Sequence, residues 1–158
     1  MNDFLANAAK VAPVIGLFVT LWLIWPRADI RARTEKNSPH RVPEERRDFP
    51  THLIIDLTAG QRPVVVTDFW LVWWSRWRPA YGKISRNALG AAQKFPLKIE
   101  PHNFTTLSAE LAGPGLGGVM RSRAPSRETF RAVVLACSPP RRFFRSNCLT
   151  LKRAWFDR

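Results

Sequence analysis

Few residues of this chain are spaced for catalysis. Its three histidines, His40, His52 and His102, share no metal-ligand spacing with one another or with Cys137 and Cys148. The acids Asp56, Asp68, Glu100, Glu110 and Glu128 fall in separate predicted segments, where the surplus of arginines offers them ion-pair partners. No serine stands in a nucleophile elbow. Neither cysteine precedes a basic helix start, the setting that lowers a thiol pKa. Gly113-Pro114-Gly115-Leu116-Gly117-Gly118 matches the G-x-G-x-x-G spacing. That motif works only if a helix begins there and turns its N–H groups to a pyrophosphate. Arg121 to Arg127 follows instead, with Pro125 inside, so the expectation is a flexible loop. The sequence predicts no catalytic residue, no metal ligand, no cofactor and no small-molecule substrate: a protein that is not an enzyme.

The types that are concentrated suit binding. Phe69 to Tyr81 holds four of the seven tryptophans and the single tyrosine, interleaved with Arg76 and Arg78. Trp70 and Trp73 fit a strand whose indoles fill a core. Past Ser75 that reading weakens, because Trp77 lies between two arginines and an unpaired buried charge is costly. Indoles beside arginines suit lipid headgroups, a partner's groove or stacked bases of single-stranded nucleic acid. Pro139-Pro140-Arg141-Arg142-Phe143-Phe144-Arg145 repeats the combination, and Lys152-Arg153-Ala154-Trp155-Phe156 repeats it again. The expected attachment residues are Trp74, Arg76, Trp77, Arg78, Tyr81, Arg141 and Arg142.

A second feature shapes this expectation. Phe4 to Trp25 is 22 residues of apolar sequence interrupted by Asn7 and Lys10. At ~1.5 Å per residue a helix there would span about 33 Å, against a hydrocarbon core of about 30 Å. Trp22 and Trp25 fit an aromatic belt. Trp25-Pro26-Arg27 does not read as a signal-peptide cleavage site. Arg27, Arg31, Arg33 and Lys36 follow the run, and basic residues stay on the cytoplasmic side. The expectation is one transmembrane helix over 1–26, N-terminus outside, in the inner membrane of a bacterium, with the remainder cytoplasmic.

The formal charge of +13 lies mostly beyond Phe49. It suits an anionic leaflet, an acidic protein or nucleic acid. Two cysteines make no disulfide framework. Both are expected reduced and buried, on different rungs of a hairpin.

The elements that must position these groups read mainly as strands. Residues 27–50, rich in charge of both signs and in proline, read as an extended linker. His52 to Thr58 alternates, with Leu53, Ile55 and Leu57 on one face. Pro63 to Trp74 reads as one strand apolar on both faces, hence covered on both sides. Ser75 to Lys94 reads as a basic insertion, with a short helix in Asn87 to Lys94. Phe95 to Glu100 and Phe104 to Leu111 read as strands, Ala112 to Arg127 as a loop. Thr129 to Cys137 and Phe143 to Leu151 read as a hairpin. Six or seven short strands over 51–158 predict a small immunoglobulin-like β-sandwich, or else a small β-barrel.

Leu57 to Val66, with the turn Gly60-Gln61-Arg62-Pro63-Val64, resembles a strand-turn-strand of short uncharacterised bacterial β-sandwich proteins. Phe95-Pro96-Leu97-Lys98-Ile99-Glu100-Pro101 resembles their middle element. Thr58 stands where an Asn is common in that group, and His102 where a Gly is common. The resemblance implies a small sandwich and carries over no catalytic residue.

These readings combine into one expectation: a single-pass membrane-anchored, non-catalytic binding or scaffolding subunit of a membrane protein complex. It would dock through a basic Trp/Arg surface, with anionic lipid headgroups as a further contact. The alternative is a membrane-anchored nucleic-acid-binding protein.

Overall fold

The computed structural model describes residues 13, 14, 16, 17, 20, 27–36, 50–75, 78–89, 95–113, 115–122, 125, 127–140 and 142–156. They form a mainly β fold. In chain order the strands are β1 (Ala28–Lys36), β2 (Pro50–Ala59), β3 (Val64–Val66), β4 (Asp68–Ser75), β5 (Arg78–Ile84), β6 (Leu97–Ile99), β7 (Phe104–Glu110), β8 (Thr129–Ser138), β9 (Arg142–Arg145) and β10 (Leu149–Lys152).

One antiparallel sheet has the order β1-β2-β7. A second runs β10-β8-β4-β5, with β9 also paired to β8. A ribbon joins β3 to β6. The two larger sheets share one apolar core. The first sheet supplies Ile30, Leu53, Ile55, Leu57 and Leu107, the second Phe69, Leu71, Trp73, Phe130, Val134 and Leu151. Leu53, Ile55 and Leu57 are fully buried, as the period-2 alternation of β2 requires.

Of the apolar run Phe4 to Trp25, only Pro13, Val14, Gly16, Leu17 and Thr20 are described, all helical; the rest lies outside the described residues. No helix of the described residues is long and apolar enough to cross a membrane. A span needs about 20 consecutive apolar residues in one helix. The expected transmembrane helix ahead of an immunoglobulin-like sandwich is therefore corrected to a mainly β fold in which no helix among the described residues spans a membrane.

Four other expectations give way to pairing. Ala28–Lys36 is a strand rather than tether, its Ile30 facing Leu57 and its Ala32 facing Ile55 across β2. The charges Asp29, Arg31 and Arg33 alternate with those buried residues, so the charge masked a period of two. Residues 37–49 of the expected linker lie outside the described residues. Pro63 to Trp74 is two strands in different sheets. The break falls at Thr67, whose N–H and hydroxyl both donate to the Cys137 carbonyl, at 2.8 and 3.2 Å. The expected insertion contains β5, which runs back along β4 from Ser75↔Arg78 to Phe69↔Ile84. Its Pro79 and Gly82 suppress strand propensity, yet an edge strand tolerates both. Gly82 is required in place, because a Cβ there would overlap the Val119 side chain. The expected short helix appears as a 3-10 turn over Arg86–Leu89, and residues 90–94 lie outside the described residues.

Val119 belongs to the helix Leu116–Ser122, where a loop was expected. Glycines at 117 and 118 give this segment little intrinsic helicity. Burial of Leu116 and Met120, four residues apart on one face, supplies what propensity lacks.

The last expected strand, Phe143 to Leu151, is interrupted by Ser146-Asn147-Cys148, with β9 and β10 on one edge of β8. Ser146 Oγ accepts from the Val134 N–H at 2.9 Å and donates to the Asn147 carbonyl at 2.7 Å. Asn147 reaches β1, accepting from the Ala32 N–H at 2.7 Å and donating to the Ala32 carbonyl at 3.0 Å. One side-chain amide thus mimics a backbone rung and ties the edges of the two sheets together. Both cysteines are free; Cys137 is half-buried, and Cys148 is exposed rather than buried.

Candidate docking surface

Strand β4 is apolar in both registers. Phe69, Leu71 and Trp73 enter the core, each 1% exposed or less. Trp70, Val72 and Trp74 therefore project from the outer face of the five-stranded sheet. The pairing registers assemble that face. Val72 lies opposite Tyr81 on β5 and Val133 on β8. Trp70 lies opposite Lys83 and Leu135. Beyond β8, Leu135 faces Arg145 and Cys137 faces Phe143. Trp74 is 61% exposed, Phe143 59% and Tyr81 52%. The Trp70 and Tyr81 rings meet edge to face at 5.8 Å, so this part of the face is held in shape.

The charge on this face is almost all of one sign. Its acid is Asp68, which accepts from Lys83 Nζ at 2.7 Å and Arg86 Nη2 at 3.2 Å. Burial pushes the Asp68 carboxyl up, but the hydrogen bonds and charges of Lys83 and Arg86 outweigh it and hold it below its ordinary value. Arg86 is itself braced over the Phe95 ring at 5.7 Å. Arg131 and Arg145 make no ion pair with a described acid. With Val72, Trp74, Val133 and Cys148 they line a hollow of about 280 Å³. Val133, only 5% exposed, is among its buried residues.

A second hollow, of about 440 Å³, runs along β1 and shares Arg145. The other arginines lining it are engaged: Arg31 pairs with Asp29 and Arg33 with Asp56, each at 3.3 Å. Among the described residues, no three His, Cys, Asp or Glu side chains gather as a metal site would require.

The expected attachment residues separate. Trp74 and Tyr81 come together on the outer face. Arg78 is exposed at the start of β5, opposite Ser75. Arg142 opens β9 opposite Ser138 and alternates with Phe143, so it belongs to the other side of that strand. Arg76, Trp77 and Arg141 lie outside the described residues. In the C-terminal segment the aromatics turn inward, Phe156 fully buried and Trp155 packed against the apolar cluster, while Lys152, Arg153 and Ala154 are exposed. Arg131, Val133, Leu135, Arg145 and Phe143 were missed as a group. A signal existed, because β8 alternates buried Ala132, Val134 and Ala136 with a second apolar series, Val133, Leu135 and Cys137. That is the two-faced pattern already visible in β4.

No protein-family model matches this chain, and no curated protein matches it. Among solved structures it is similar to the X-ray structure of the Northeast Structural Genomics Consortium target SoR45, with TM-score 0.35 and 10% identity over 80% of this chain and 86% of that one. It is also similar to a protein from Archaeoglobus fulgidus, with TM-score 0.30 and 12% identity over 78% and 94% of the two chains. Likenesses this slight carry no argument about function.

Proposed function

We propose that this protein is a non-catalytic binding module that docks an acidic protein partner on the outer face of its five-stranded sheet. The observation that carries the reading is the composition of that face. Its centre is aliphatic and aromatic, its flanks are Arg and Lys, and its acid is neutralised within the face itself. Contiguous apolar surface of this kind marks interaction sites. Trp, Tyr and Arg are the types that dominate binding energy in interfaces, and Trp74, Tyr81, Arg131 and Arg145 stand on one sheet. A single-stranded nucleic acid would be held by a continuous basic groove with stacking platforms along it. This face instead sinks to a branched aliphatic centre of Val72 and Val133 between its arginines, a shape for side chains rather than for a phosphate track.

The test compares three probes on the full chain: a random glutamate–tyrosine copolymer, oligothymidylate and vesicles containing phosphatidylserine. The copolymer should bind best, and Trp74→Ala should weaken it by about 2 kcal/mol without loss of fold. Tighter oligothymidylate binding with a steep salt slope would replace the reading by nucleic-acid binding. Vesicle binding that depends on Trp74, without copolymer binding, would replace it by a lipid surface.

A further inference from the structure

The hollow on that face has a definite chemical layout, and the following inference rests on the docking reading. Arg131 pairs with Thr150, Leu135 pairs with Arg145, and Val133 stands midway between them along β8. Both arginines line the hollow with Val72, Trp74 and Val133; Val72 lies beside Val133 across β4, and the register carries Trp74 to the level of Arg131. Four residues along a strand span about 13 Å. The hollow therefore presents two cations on a diagonal of roughly 14 Å, Arg131 on β8 and Arg145 one strand over on β9, with the apolar Val133 and Val72 at the level between them. Its volume of about 280 Å³ falls below the roughly 300–1,000 Å³ of sites for drug-sized ligands. It has room for one large side chain.

We propose that this hollow reads an extended acidic segment of a partner protein with the pattern acid-x-apolar-x-acid. In an extended chain residues i, i+2 and i+4 share one face, and i to i+4 spans about 13 Å, close to the roughly 14 Å diagonal from Arg131 to Arg145. The middle side chain fills the hollow against Trp74 and Val133. The flanking carboxylates meet Arg131 and Arg145, each able to make two parallel hydrogen bonds to a carboxylate. Neither arginine has to release a described acid first. The spacing is what discriminates: a segment of equal charge with adjacent acids satisfies one arginine and leaves the other unmatched.

The experiment measures fluorescence anisotropy of two labelled peptides against the full chain. One carries the core Glu-Thr-Leu-Thr-Glu, the other the same residues as Glu-Glu-Leu-Thr-Thr. The spaced peptide should bind at least tenfold tighter. Arg131→Ala and Arg145→Ala should each remove that advantage while the circular dichroism spectrum stays unchanged. Arg145→Glu should transfer the preference to a peptide with lysine at one end of the core. Equal affinity of the two peptides for the unaltered protein overturns the proposal, and that comparison needs no variant. If both then depend equally on Trp74, the docking face stands and only the spacing rule falls. Failure of both peptides to bind also overturns it, with the copolymer deciding separately whether the face docks anything.

Discussion

Trp73 and Trp74 are adjacent in the chain and opposite in environment. Trp73 is fully buried, its ring 6.5 Å from Phe130, while Trp74 is 61% exposed beside the hollow on the other side of the sheet. Nothing in the residue type separates them. The strand separates them, because successive side chains leave opposite faces. The inner face of β4 is apolar and closed by the second sheet. The outer face is almost as apolar and has no covering element among the described residues. An apolar series therefore signals a core only when a second layer exists to cover it.

The sharpest way to break this comparison is to truncate each indole. Trp73→Ala should cost about 3–5 kcal/mol, from lost apolar contact and the cavity left behind, read as a lower urea midpoint. Trp74→Ala should change stability by no more than about 0.5 kcal/mol. If Trp74→Ala unfolds the protein, the outer face is structural and the distinction collapses. Trp73 also holds the one buried side-chain polar atom among the described residues that has no partner, its Nε1. An orphaned buried N–H is itself unfavourable, so Trp73→Phe should cost far less than Trp73→Ala.

The link between the sheets comes next in size. Asn147 satisfies both backbone groups of Ala32, a residue 3% exposed. Asn147→Ala leaves them unpaired and should cost about 1–3 kcal/mol in denaturant unfolding. Asn147→Asp still accepts from the Ala32 N–H but sets a carboxylate against the Ala32 carbonyl, so it should not restore the loss. A neutral result for both would mean that the two faces do not depend on this edge contact.

Asp68 allows the outer face to be tested by pH. Its folded pKa is lowered by Lys83 and Arg86 despite burial. It therefore contributes stability above the unfolded carboxyl value near ~3.9, and the contribution is lost as pH falls through the lower folded value. Asp68→Asn should cost about 1 kcal/mol at neutral pH, near the upper end for partly exposed pairs, and flatten the acid limb of the stability curve. An unchanged acid limb would remove Asp68 from the account. The smallest effect concerns His102, which has φ 60° in the turn before β7. Its N–H is bonded to the Ala59 and Gly60 carbonyls at 3.2 and 3.1 Å, so the turn is held in place. Left-handed backbone disfavours a residue with a Cβ, and His102→Gly should stabilise by about 0.5–1 kcal/mol. A loss instead would show that the imidazole contributes more than the backbone strain costs.

Much of the fold was legible where alternation was undisguised. Leu53, Ile55 and Leu57 announced β2, and the Phe104 to Leu111 and Thr129 to Cys137 segments announced β7 and β8. Charge disguised β1, and Pro79 with Gly82 disguised β5, since local propensity is weak evidence against a pairing supplied from elsewhere. The docking surface was legible only in part. Trp74 and Tyr81 stood out by type in one dense segment. Arg131 and Arg145 looked like any other of the many arginines, because what distinguishes them is a shared hollow.

The amino-acid sequence by itself determined the strand character, the excess of positive charge and the parity that sends Trp73 one way and Trp74 the other. These follow from a period of two and from counting, both local to the chain. Only the tertiary structure decided which apolar faces are closed and which have no cover among the described residues. It also decided that Arg145 faces Leu135 across β9 and β8, and that Asn147 bonds a backbone 115 residues away. The reason is physical: a strand's own residues set what each face offers, but which sheet pairs with it, and what covers it, depends on chain far off in sequence.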